Sequence, residues 1–125
     1  ASGGHADLSR YPQAADSEEL LQVMNVRGAI TAHYLDAGWS LTLDWDHQLL
    51  PDVMLWVSHG GRLAPPWSGR HYALGVEPLN SAWDLGRVTQ LPEDHPLATR
   101  RGVRLTPDSP CVIRSRLSAQ PQARP

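Results

Sequence analysis

The chain has no phenylalanine, no lysine and a single cysteine, Cys111, among its 125 residues. One cysteine cannot close an internal disulfide, which excludes a disulfide-stapled secreted scaffold and favours a reducing, cytoplasmic setting. An excess of positive charge is missing too, since 11 basic residues, all Arg, stand against 13 acidic ones for a formal net charge of -2. That balance excludes the basic footprint with which nucleic-acid binders hold phosphate backbones. No apolar run is long enough for a transmembrane helix, so no membrane partner is expected. The opening segment ASGGHADLSRYPQ lacks the charged-then-apolar order of an export signal. Repeats, heptads and low-complexity tracts are also lacking.

What is present is a 41% hydrophobic chain of single-domain length, with five Trp and eleven Pro. Residues 1–15 are small, polar and aperiodic and read as an irregular lead-in. Asp16 and Glu19 have the spacing of a helix-capping box, but only Leu20 to Val26 follow before Gly28, too few to propagate a helix. One turn followed by a strand is expected there. Ala29 to Tyr34 and Trp39 to Trp45 flank Asp36-Ala37-Gly38 as a hairpin. In its second strand Trp39, Leu41, Leu43 and Trp45 alternate with Ser40, Thr42 and Asp44, which predicts one apolar and one polar face. Val53 to His59 is an apolar run bounded by Gly60-Gly61, the pattern of a strand covered on both faces. RLAPPWSGR must be a loop, because Pro65 and Pro66 lack donors. Tyr72 to Glu77 is a strand stopped by Pro78, Leu79 to Arg87 is irregular, Val103 to Leu105 and Cys111 to Leu117 are short strands, and 118–125 is a frayed tail. Six or seven short strands with almost no helix predict an all-β fold, an antiparallel β-sandwich formed by 1–125 as one segment. Trp39, Trp45, Trp56 and Trp83 are assigned to core or sheet packing.

The residue types offer few reactive constellations. The histidines from His33 to His95 lie on separate elements, without HExxH spacing or a cysteine partner, so no metal is expected. No GxSxG elbow marks a nucleophile. Glu77 stands out, because ALGVEPLN delivers a carboxylate at the end of an apolar strand, just before a proline that ends pairing. Desolvation at such a strand end would raise its pKa toward the range of a general base.

The stretch LPDVMLWVSHGGRLAPPWSGRHYALGVEPLNSAWDLGR, from Leu50 to Arg87, resembles the C-terminal part of the aldose 1-epimerase (galactose mutarotase-like) family. The resemblance rests on the ordered motifs LP-x-x-x-LW, G-R-x-x-P-P-W-x-G-R and LG-x-EP, with GWSLTLDWD upstream, and extends over roughly Ala29 to Leu117. It implies part of a supersandwich fold, an aldose or sugar derivative as substrate, and no cofactor. It also implies that Glu77 is the base removing the anomeric hydroxyl proton while a histidine protonates the ring oxygen. The family's acid histidine lies in an Asn-His motif of the preceding half, and His33, in AHYL, has no such context. The resemblance therefore implies association with another chain or with the rest of a longer one, or a non-catalytic carbohydrate-binding or regulatory module. Around Glu77, Trp67 is the expected stacking platform for a sugar. Arg70, and less so Arg62, is the expected hydroxyl or phosphate donor. His59 is the expected second polar or acid group, and Asn80 either orients a hydroxyl or caps the turn.

Overall fold

Short apolar runs cut by Pro and Gly leave room for strands and little else. The computed structural model, which describes residues 7–83 and 90–122, has six strands and, among the described residues, no helix. They are β1 (Ser17–Val23), β2 (Ile30–Tyr34), β3 (Trp39–Trp45), β4 (Asp52–His59), β5 (Tyr72–Leu79) and β6 (Ser115–Pro121). They form two antiparallel three-stranded sheets, ordered β1-β4-β5 and β2-β3-β6, so the expected all-β class is what the chain adopts. Close contacts group the described residues into two units, 7–21 with 54–77, and 22–53 with 78–83 and 90–122.

The first unit holds most of the β1-β4-β5 sheet. Asp16 has φ 51°, a left-handed conformation that stops a helical turn, and the chain enters β1 directly at Ser17 without the expected turn of helix. β4 is the covered central strand, with Met54 and Val57 buried, as its unbroken apolar run predicts. It ends at Gly60, with φ 79°, and Gly61, where a Cβ would lie 2.6 Å from the Ser17 carbonyl carbon. Only glycine allows β1 to approach the end of β4 so closely. β5 runs two residues past the expected stop at Glu77, through Pro78 to Leu79. An edge strand tolerates the missing donor of proline because only one of its sides pairs.

The second unit holds the β2-β3-β6 sheet. β2 and β3 form the expected hairpin, closed at Tyr34↔Trp39, with Gly38 at φ 67° donating its N–H to the Tyr34 carbonyl at 2.9 Å. The final strand lies later than expected, pairing Trp39↔Pro121 through Trp45↔Ser115. Residues 118–121, expected to fray, therefore form a full ladder with β3. Residues 103–105, expected as a strand, are irregular, and Leu105 is 70% exposed. Register places Ile30, Leu43 and Leu117, then Ala32, Leu41 and Ala119, then Tyr34, Trp39 and Pro121, on one face. The chemical alternation expected of β3 is present, but burial does not follow it. Ser40 is buried, whereas Trp39 is 47% and Leu117 70% exposed. Of the four tryptophans assigned to packing, Trp45 is buried, its indole N–H donating to the Leu50 carbonyl at 2.7 Å, while Trp39 and Trp83 are exposed.

The same unit contains a closed polar network. Asp52, wholly buried, accepts from Arg100 Nε at 2.8 Å and from a second Arg100 guanidinium nitrogen at 3.0 Å, and also from the Asn25 main chain and the Gln22 amide. Burial pushes its carboxyl up, but the Arg100, Asn25 and Gln22 donors outweigh this and hold it below the usual carboxylate range.

Candidate functional site

Strand alternation decides which side chains share a face of the β1-β4-β5 sheet. Trp56 and Ser58 point to one side of β4, and Gly75 and Glu77 lie on the matching side of β5. A Cβ on Gly75 would sit 2.8 Å from Glu77 Oε1 and 3.3 Å from Trp56 Cβ. The Glu77 side chain thus folds back into the space that glycine leaves, beside the indole of Trp56. Glu77 is exposed, so the desolvated setting expected for it at the end of the strand is not what the structure provides.

Glu18 of β1 closes the other side. Its carboxylate accepts from the Trp56 indole N–H at 2.8 Å and from the Ser58 hydroxyl, and Arg62 Nε lies 3.5 Å away. Burial alone would raise the Glu18 carboxyl. The Ser58 and Trp56 donors and the Arg62 guanidinium reverse the sign, and it sits below its ordinary value. The Arg62 guanidinium also lies 4.6 Å from the Trp56 ring centroid and 5.5 Å from that of Trp67, a cation–π arrangement across two indoles.

The loop expected between β4 and β5 supplies Trp67. Ser68 and Gly69 have φ 48° and 69°, and Arg70 N donates to the Trp67 carbonyl at 2.9 Å, the geometry of a type I′ turn. The turn sets Trp67 edge-on to Trp56, with centroids 6.3 Å apart, and to His71 at 4.5 Å. His71 stacks on Trp56 at 5.1 Å and 25°, and its Nδ1 is 2.7 Å from Ser58 Oγ.

The structure thus gathers Glu77 and Trp67 with Arg62, Glu18, Trp56, Ser58 and His71. It does not bring in the other expected residues. His59 packs edge-on against Tyr72 at 5.1 Å and, by alternation, lies on the opposite face from Trp56. Arg70 is exposed and contributes its main chain to the turn, so the guanidinium of this site is that of Arg62. Asn80 caps a turn in the second unit, its amide donating to the Leu49 carbonyl at 3.0 Å. The sequence did carry a signal for the missed residues. Trp56 and Ser58, two apart in an otherwise apolar strand, must share a face, and a hydroxyl there needs partners from neighbouring strands.

An open aromatic, guanidinium and carboxylate surface of this kind suits a polyol, whose C–H faces stack on indoles and whose hydroxyls pair with charged donors and acceptors. Among the described residues no group of three His, Cys, Asp or Glu side chains is placed to hold a metal ion, and no helix is long and apolar enough to cross a membrane. The chain matches no protein-family model, no curated protein and no solved structure.

Proposed function

We infer that the chain binds an aldose or a close derivative on the Trp56 face of the β1-β4-β5 sheet and interconverts its anomers, with Glu77 as the base that takes the anomeric hydroxyl proton. The observation that carries this reading is the position of Glu77, held over Gly75 beside Trp56 on the face that also presents Trp67 and Arg62. Trp67 offers the stacking edge and Arg62 the hydroxyl donor. The proton for the ring oxygen comes from a second polypeptide or from the rest of a longer chain. The apolar residues Tyr34, Trp39 and Leu117, exposed on one sheet face, are the kind of surface such an association covers.

A second reading is favoured by the exposure of Glu77, because water competes there with a sugar hydroxyl for its carboxylate. On that reading the face binds sugar without turning it over. The two are separated by anomer exchange of D-galactose, followed by NMR, with calorimetric binding measured in parallel. General acid–base groups contribute about 10²–10⁴ in rate, so Glu77→Gln in the catalytic assembly lowers exchange by that order. An acceleration that survives Glu77→Gln unchanged removes Glu77 as the base. Galactose binding without any acceleration leaves the binding module.

A further inference from the structure

One hydrogen-bonded chain on this face is unexplained by packing. Ser58 is 2% exposed, so no bulk water competes for its hydroxyl. Three groups meet Ser58 Oγ: a Glu18 carboxylate oxygen, His71 Nδ1 at 2.7 Å and the His71 carbonyl oxygen at 3.3 Å. The hydroxyl has one proton to give. It goes to Glu18, which is the closer and the charged acceptor and is held ionised. Ser58 Oγ is then left only as an acceptor, so the hydrogen between it and His71 belongs to His71 Nδ1.

A neutral imidazole with Nδ1–H presents Nε2 as a bare acceptor. Nε2 bonds none of the described residues, and His71 is only half-buried, which leaves Nε2 available to a ligand. The stack on Trp56 and the edge contact with Trp67 fix the plane of the ring, so the direction of that lone pair is set before any ligand arrives. Arg62, paired with Glu18, balances the carboxylate that anchors the relay.

We propose that Glu18 and Ser58 are positioning residues that hold His71 as the Nδ1–H tautomer, and that His71 Nε2 accepts a hydrogen bond from a ligand hydroxyl. The ligand class is a polyol carrying stackable C–H faces, which offers one hydroxyl to Nε2 beside the Trp56 and Trp67 rings. No covalent bond forms or breaks at His71, and the hydroxyl keeps its proton. The ligand part rests on the sugar reading above, whereas the tautomer does not depend on any sugar.

The test is nitrogen NMR of the imidazoles in the full chain, first without ligand and then with D-galactose. His71 is expected as Nδ1–H in the free protein. Ser58→Ala shifts it toward the Nε2–H form that an unconstrained imidazole prefers, and galactose moves the Nε2 resonance saturably. His71→Asn keeps a donor near the Nδ1 position and loses Nε2, and it weakens galactose binding by about threefold to tenfold, the worth of one hydrogen bond. Finding Nε2–H in the unmodified protein overturns the relay, and that readout needs no variant to fold. Galactose that shifts the Trp67 signal but leaves His71 Nε2 unmoved overturns the ligand role while sparing the sugar reading. If galactose shifts nothing, the sugar reading and the ligand role fall together, and the tautomer alone decides the relay.

Discussion

Substituting Gly61 by alanine is expected to loosen the candidate site from beneath. A Cβ at this position would lie 2.6 Å from the Ser17 carbonyl carbon and 2.9 Å from both Glu18 N and Ser17 O. Carbon atoms in contact sit about 3.5–4.0 Å apart, so the main chain of β1 must retreat by roughly 1 Å. All three obstructing atoms are backbone, and no side-chain rotation relieves them. Overpacking of this kind costs about 1–3 kcal/mol. That is a large share of the roughly 5–15 kcal/mol by which domains are stable. The retreat also carries Glu18 away from Trp56 and Ser58, adding the loss of its hydrogen bonds. Urea unfolding followed by tryptophan fluorescence measures the effect. Gly28→Ala is the control, because a Cβ at Gly28 has nothing within 4 Å and its change is expected within about 0.5 kcal/mol. If Gly61→Ala proves as stable as Gly28→Ala, the close approach of β1 to the end of β4 is wrong, and with it the placement of Glu18.

Two further outcomes concern the charged groups. Asp52→Asn leaves the Arg100 guanidinium, itself mostly buried, without its charged partner, and is expected to destabilise the chain by about 3–5 kcal/mol in the same urea assay. Stability should also fall in acid. Asp52 and Glu18 both titrate below their ordinary values in the folded chain, so each contributes stability that is complete above the unfolded carboxylate pKa and is lost as pH falls through the folded one. Unfolding midpoints measured from pH 7 down to about 2 should therefore decline only below the ordinary carboxylate range of about 3.9–4.3.

Local chemistry made part of this legible. The hairpin turn at Gly38, the two-sided cover of β4 and the Pro-rich loop all follow from features within a few residues of each other, and all three stand in the structure. The last strand was harder to place, because small and polar residues over Ser115–Pro121 carry no apolar alternation. Its pairing is fixed by the β3 ladder instead. Burial of β3 departs from its alternation for a related reason: alternation fixes which side chains share a face, and only packing from other elements decides whether that face is covered. The site shows the same division. Glu77 and Trp67 were visible as a strand-end carboxylate and a loop indole. Glu18 stands 38 residues from Trp56 and 40 from Ser58, a juxtaposition no local pattern records. His59 is expected at the site because it ends an apolar strand, yet its position in the alternation turns it to the other face.

The central claim, a sugar on the Trp56 face, is tested most directly by following the tryptophan indole N–H signals while D-galactose is added. Trp67 is expected to shift saturably, with Trp56 responding less because its N–H is held by Glu18 at 2.8 Å. Trp45, buried and bonded to the Leu50 carbonyl in the other unit, is expected to stay fixed. A titration in which Trp67 does not move, or in which Trp45 moves as much as Trp67, contradicts the claim.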